Sequence, residues 1–142
     1  MKPVILPATM AALYKVSEYV LTAAATAKLN KKATYCLRLA VDETATNIVS
    51  YGYALEEQGR LYLSSRCDEQ QLAIILEDTA APYNPLAALA AAERSLQLPF
   101  EQRPIGGLGV YIAWQSADEF HYELVGDRNR NTFVMYRDPT SE

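Results

Sequence analysis

Leu37-Arg38-Leu39-Ala40-Val41-Asp42-Glu43-Thr44-Ala45-Thr46-Asn47-Ile48-Val49 is the stretch around which the chain is organised. At about 100° per residue, Leu37, Val41 and Ile48 fall on one stripe of a helix, with Ala40, Thr44 and Ala45 beside it. Glu43 and Asn47 are one turn apart and share a face at the margin of that stripe, whereas Asp42 and Thr46 point away from it. A carboxylate and a carboxamide so placed face a cleft, where the amide oxygen can ligate a hard cation and the carboxylate can accept a proton. By itself such a pair is more often a hydrogen bond on a helix surface. Two stretches later in the chain shift that balance.

A length of 142 residues suits one domain with a real core, and half of the residues are hydrophobic, an ordinary globular composition. The net charge of -4, without a long basic run, disfavours direct nucleic-acid binding and an anionic membrane surface. Cys36 and Cys67 have neither metal-ligand spacing nor a disulfide framework around them. His121, the single histidine, leaves little material for a His-rich zinc site or a Ser-His-Asp triad, and it reads as an ordinary strand residue. The apolar run in Met1-Lys2-Pro3-Val4-Ile5-Leu6-Pro7 is too short for a signal peptide, and charges interrupt the alanine-rich segments before they could span a bilayer. A soluble, reduced, cytoplasmic protein is expected.

Outward from the organising stretch, the pattern predicts a first strand over Lys2 to Leu6 and a helix from about Thr9 to Leu29, with Leu13, Val16 and Val20 inward and Asn30 near its end. The organising helix is expected from Thr34 to about Gly52. Leu61 to Ser65 and Gln71 to Leu76 read as strands joined at Asp68-Glu69-Gln70. Asn84-Pro85 starts a helix that runs to about Leu96, an N-cap followed by proline at the first helical position. A helix from Val110 to Gln115 follows, and strands Phe120 to Leu124 and Thr132 to Tyr136 flank a polar hairpin loop, Gly126 to Asn131. No repeat or boundary divides the chain, so residues 1–142 read as a single domain. Helices that precede and interrupt hairpin-paired strands predict an α+β fold: a two-layer α/β sandwich whose mixed, mostly antiparallel sheet is covered on one face by helices.

Two more stretches carry chemistry. In Leu76-Glu77-Asp78-Thr79-Ala80-Ala81-Pro82-Tyr83-Asn84-Pro85 an acid stands where an apolar strand runs out, followed by small residues. Such a carboxylate can accept a hydrogen bond from a base or ribose; equally, it can cap backbone amides in a turn. In Gly106-Gly107-Leu108-Gly109 a glycine-rich turn opens a helix, which makes an anion site or a hinge. No Lys-Ser/Thr comes after it, so it is not a Walker loop.

In this order the three stretches resemble the boxes of the GHKL ATPases, the superfamily of gyrase, the histidine kinases and the mismatch-repair ATPases. Glu43-Thr44-Ala45-Thr46-Asn47 is similar to their N-box, Asp78-Thr79-Ala80 to their Asp-x-Gly box, and Arg103-Pro104-Ile105-Gly106-Gly107-Leu108-Gly109 to their glycine-rich box. The wording of residues 37–53, 78–85 and 106–113 looks most like the bacterial anti-sigma-factor serine/threonine kinases, and the resemblance runs from about Leu6 to Arg137. It implies a GHKL-type sandwich that binds ATP and Mg²⁺. Asn47 would ligate the metal, Glu43 would act as general base, and Asp78, with Ala80 beside it, would bind the adenine amino group. Gly106, Gly107, Leu108 and Gly109 would hold the phosphates, and Thr132 would help to hold adenine. Residues from about Asn84 to Ile105 would form a short lid with few basic residues, and Arg103 lies beside the glycine turn. One departure is plain: Ala80 stands where the family has glycine, and a methyl there would crowd the base or narrow the available backbone angles.

The activity so implied is phosphorylation of a serine or threonine on a small anti-anti-sigma-type antagonist protein. Exchange binding of a sigma factor or analogous regulator, and a homodimer, come with it. A non-enzymatic partner switch on the same fold is the first rival, favoured by Ala80. A stand-alone histidine-kinase ATP domain is the second, working in trans because His121 sits in a predicted strand.

Overall fold

The computed structural model describes residues 1–53, 58–99 and 108–138. Asn30 sets where the organising helix begins. Its extended backbone stands outside the helix, and its side-chain oxygen accepts the N–H of Ala33 at 2.7 Å, one of the donors a helix start leaves unpaired. The helix α2 therefore spans Lys31–Asn47, starting before Thr34, and Asn30 belongs to it and not to the helix before. That earlier helix, α1, spans Leu13–Thr26 after a 3₁₀ turn at Met10–Ala12, and the chain reverses through Lys28 at φ +56°.

α2 buries Ala33, Leu37, Ala40, Val41 and Ala45, the expected stripe, and α1 buries Val16 and Val20 beneath it. Beyond Asn47 the helix widens into a π turn, Ile48–Gly52, where a plain α-helix was expected.

The strands are β1 (Val4–Pro7), β2 (Arg60–Cys67), β3 (Gln71–Asp78), β4 (Glu119–Val125) and β5 (Arg128–Tyr136), in the order β1-β2-β3-β5-β4. Every hydrogen-bonded pairing among the described residues is antiparallel, where a mixed sheet was expected. The reason is topological. Helices α3 (Pro85–Leu96) and α4 (Leu108–Ser116) return the chain so that β4 runs parallel to β3, but β5 inserts between them and opposes both.

Both hairpins follow from turn chemistry. Asp68 accepts the N–H groups of Gln70 and Gln71 at 2.8 and 2.9 Å, closing β2 onto β3. Between β4 and β5 only Gly126 and Asp127 remain, and φ is positive at Gly126 (+63°) alone, the pattern of a type II′ turn. β5 thus begins at Arg128, and Asn129 and Asn131 are strand residues with buried side chains, not part of a loop.

Parity divides the sheet. Leu61, Leu63, Leu72, Ile74, Leu76, Phe133 and Met135 face the helices, with Phe120 stacked on Phe133 at 4.9 Å. The other face carries Glu77, held by Arg128 at 3.1 Å and Arg130 at 2.6 Å, and no described helix covers it. Asn84 caps α3 by accepting the Leu86 N–H at 2.9 Å, with Pro85 at the first position as expected. No helix among the described residues is long and apolar enough to cross a membrane.

Candidate functional site

The inner face of β3 is apolar through Leu72, Ile74 and Leu76, and the same alternation then puts a carboxylate, Asp78, inside the protein at 2% exposure. One oxygen, Oδ1, accepts the Ala80 N–H and an amide N–H of Asn129, both at 2.9 Å. The other oxygen accepts no hydrogen bond from the described residues. Burial pushes the Asp78 carboxyl above its ordinary range, against the opposing pull of Asn129 and the Ala80 amide. The turn-capping reading of this acid is seen in the contacts of Oδ1 with Ala80 and Asn129.

Asn129 was not picked out by the sequence reading. Its N–H group also reaches the carbonyls of Ala80 and Ala81 at 3.2 Å, while its oxygen accepts the Tyr83 N–H at 3.0 Å and the Tyr122 hydroxyl. A single buried amide therefore fixes the chain from Asp78 to Tyr83. Tyr53, just past the π turn, secures the same segment from the other side. Its hydroxyl donates to the Arg60 carbonyl at 3.1 Å, accepts the Thr79 N–H at 2.9 Å and lies 3.0 Å from the Thr79 hydroxyl. Gly59 lies under the Tyr53 ring, where any Cβ would overlap it.

Ala80 is itself buried, at 6% exposure, and its φ is not positive, so this backbone does not require glycine. Its methyl faces Gly52, where an added Cβ would lie 3.1 Å away. The Ala80 methyl thus lies beside the π turn that continues α2.

Glu43 and Asn47 sit half-exposed on α2, and Gly109, the second residue of α4, lies directly against both. A Cβ at Gly109 would stand 3.0 Å from Glu43 Oε2 and 3.1 Å from Asn47 Nδ2, so the missing side chain lets the first turn of α4 come this close without displacing either. A helix start, with unpaired N–H groups and a positive dipole end, is in this way brought onto a carboxylate and an amide. Asp42 and Thr46 line a groove with Leu13, Ser17 and Arg38 on another side of α2, away from the pair as the helix period predicts. There, burial pushes the Asp42 carboxyl up, against hydrogen bonds from Ser17 and Arg38.

The structure brings Glu43, Asn47 and Gly109 together at one end of the site, and Asp78 and Ala80 at the other, joined through Gly52. Thr132 is not brought to them. It pairs with Ile75 and His121 and lies on the helix-free face of the sheet with Glu77 and Arg130. Gly106, Gly107 and Arg103 lie outside the described residues, as does the side chain of Leu108.

A family model for the histidine kinase-like ATPase domain matches residues 6–136. The chain belongs to that family. It is a domain of the GHKL superfamily, whose members bind ATP, typically with Mg²⁺. A comparison with curated proteins gave no match.

The residues present fit such a ligand. Asp78 has one carboxylate oxygen without a partner among the described residues, and the first turn of α4 lies beside Asn47. No group of three or more His, Cys, Asp or Glu side chains suited to a metal ion occurs among the described residues.

Proposed function

We propose that this histidine kinase-like ATPase domain is an ATP- and Mg²⁺-dependent serine/threonine protein kinase of the anti-sigma-factor type. The observation that carries the reading is the approach of Gly109 to Glu43 and Asn47. It sets a carboxylate, a carboxamide and the first turn of a helix side by side, which supports roles for them as base, metal ligand and phosphate site, and phosphoryl transfer needs little beyond positioning and charge stabilisation.

In this reading Asp78 accepts the adenine amino group and Asn47 holds Mg²⁺, which would supply charge neutralisation at the phosphates. Gly106, Gly107, Leu108 and Gly109 cradle the phosphates. Glu43 takes the proton from a serine or threonine hydroxyl of the antagonist. The hydroxyl oxygen bonds to the γ-phosphorus as the bridging bond to the β-phosphate breaks, and ADP leaves with that electron pair. The partners are an anti-anti-sigma-type antagonist and a sigma factor or analogous regulator, with a homodimer as the working unit.

The Ala80 methyl lies against Gly52, which supports the enzymatic reading over a non-enzymatic switch. His121 is exposed on β4 and paired with Glu119 at 2.9 Å, a setting unlike a phosphoacceptor histidine on a dimerisation helix.

Calorimetric titration with ATP, with and without Mg²⁺, tests the site. Micromolar binding that requires Mg²⁺ and is lost in Asn47→Ala and Asp78→Asn is expected. Transfer of labelled phosphate to a co-purifying antagonist, lost in Glu43→Ala, tests the kinase. Binding that survives in both site variants, or transfer indifferent to Glu43, would sink the proposal.

A further inference from the structure

The two edges of the sheet are not alike. β1 is short, with Pro3 before it and Pro7 as its last residue, and proline blunts an edge because it offers no N–H. β4, at the other edge, runs over Glu119–Val125 without proline, glycine or lysine and pairs only with β5 among the described residues. Such an edge is a template for one more strand. Two apolar side chains at its end, Leu124 at 50% exposure and Val125 at 38%, lie outside the core.

The hairpin decides which groups this edge presents. With a two-residue turn at Gly126-Asp127, Val125 and Arg128 exchange hydrogen bonds, and the alternation of an antiparallel ladder turns the backbone groups of Glu123, His121 and Glu119 toward β5 as well. The N–H and C=O groups of Phe120, Tyr122 and Leu124 therefore point out of the sheet.

Side chains then decide what can pair there. For a second copy of the strand running antiparallel, the two faces match only in registers centred on a residue. A register centred on His121 sets Glu119 against Glu123 twice, and one centred on Glu123 sets that carboxylate against itself. Registers centred on Phe120 or Leu124 engage less than half of the strand. Centring on Tyr122 engages all of it and sets no like charges opposite. Phe120 meets Leu124, His121 meets Glu123 and Glu119 meets Val125, each twice about a twofold axis. All the outward backbone groups find partners, with about six hydrogen bonds between the copies.

We infer that the free edge of β4 joins that of a second copy of this chain, antiparallel and centred on Tyr122, so that one sheet runs through both. The inference gives the proposed homodimer its contact surface; it rests on that reading for the dimer alone, not for the nucleotide or the kinase chemistry. Arg130 lies 3.1 Å from Glu123, and Glu119 lies 2.9 Å from His121, so the charged groups that meet across the axis are positioned before association. Leu124, exposed in one copy, gains Phe120 of the second. A contact made by one strand is among the smallest interfaces, so association in the micromolar range is expected.

Sedimentation equilibrium across the micromolar range tests the inference, with melting curves to show that each variant is folded. Wild type should dimerise reversibly. His121→Glu places a carboxylate opposite Glu123 of the second copy twice and should weaken the dimer about tenfold. Adding Glu123→Lys sets opposite charges across the axis again and should recover most of that loss. Leu124→Pro removes an outward N–H, leaves the ladder to β5 intact and should weaken the dimer about 10- to 100-fold. Cross-linking reads the register. In a background of Cys36→Ala and Cys67→Ser, a mixture of His121→Cys and Glu123→Cys proteins should form a disulfide between chains, because the opposed backbones stand about 4.5 Å apart. Either protein alone should cross-link far less.

A wild type that stays monomeric throughout would refute the homodimer and this inference together. A dimer indifferent to both His121→Glu and Leu124→Pro, or a mixture that cross-links no better than its parts, would overturn this surface while the homodimer stands. If none of the variants folds, the edge of β4 is structural and the inference fails. Absence of ATP binding by wild type would strike the nucleotide reading and leave this one in place.

Discussion

Gly109→Ala separates the two demands placed on the start of α4. The added Cβ would lie 3.0 Å from Glu43 Oε2, 3.1 Å from Asn47 Nδ2 and 3.6 Å from Asn47 Oδ1. To reach an ordinary contact of about 3.5 Å, the two nearer atoms must each retreat by roughly half an ångström. Both are ends of flexible side chains on a half-exposed helix edge, so the fold has an easy route to accommodate the methyl. Alanine also favours a helix over glycine by up to about 1 kcal/mol, which for a chain of this size is about 2–4 °C in melting temperature. Stability should therefore hold or rise.

Function should move the other way. Mg²⁺ demands near-ideal octahedral geometry, and a misplacement of about 1 Å at a reacting group can cost on the order of 100-fold in rate. Half that displacement at both the metal ligand and the base predicts about a tenfold loss of Mg-ATP affinity, equal to about 1.4 kcal/mol, and a larger loss in phosphate transfer. Calorimetry and thermal melting on the same preparation give both numbers. Adding Glu43→Ala removes one of the two crowded atoms, so the stability effects of the pair should be non-additive. Unchanged Mg-ATP affinity in a well-folded Gly109→Ala protein would refute the assignment of this corner to phosphates and metal.

Asn129→Leu leaves the Tyr83 N–H, the Tyr122 hydroxyl, two carbonyls and Asp78 short of a partner, and should cost about 3 kcal/mol or more in urea denaturation. A cost below about 1 kcal/mol would mean that this network is not formed in solution. Glu77 behaves differently with pH. Burial alone would push its carboxyl up, but hydrogen bonds from Arg130 and Arg128 outweigh that and hold it below its ordinary 4.5. Its stabilisation is thus fully present above 4.5 and lost as pH falls through the lower folded value. Glu77→Gln should cost about 1 kcal/mol at neutral pH, a modest value because both arginines are partly solvent-screened, and nothing in strong acid. Asp78 has the opposite sign: its raised folded value means a penalty that is present at neutral pH and relieved as pH falls below that value. Asp78→Asn, which keeps an acceptor for Ala80 and Asn129, should therefore raise ligand-free stability at neutral pH while abolishing ATP binding. Matched stability curves from acid to neutral pH check both signs.

The parts of this molecule that could be read from the sequence are those with a strong local cause. The stripe through Leu37 and Val41 fixed α2 onto the core, Asn84-Pro85 started α3, and Asp68 closed a hairpin. In each case the responsible group lies within a few residues of its effect. What escaped depends on partners far along the chain or on parity. Asn30 satisfies either helix boundary on paper, and only the reversal at Lys28 assigns it to α2. Arg128 to Asn131 is polar enough to pass for a loop, because the inward members of that strand are asparagines serving a buried acid from β3 and an unpaired position beside it. Motif likeness picked out Thr132, yet strand parity puts it on the helix-free face, because one residue in a strand is the difference between the two faces of a sheet.

Ala80 shows why a box should be read with its surroundings. A glycine in such a turn can serve two needs, a backbone angle closed to other residues or the absence of a side chain. The angle is not needed here, since φ at Ala80 is not positive. The space is needed, and it is supplied from the opposite side. Gly52, the last residue of the π turn, carries no Cβ where one would meet the Ala80 methyl at 3.1 Å. That contact ties the end of the helix bearing Glu43 and Asn47 to the end of the strand bearing Asp78, so the two halves of the site share a common fixed point. The Ala80 methyl and the bare backbone of Gly52 therefore fit one another in this fold.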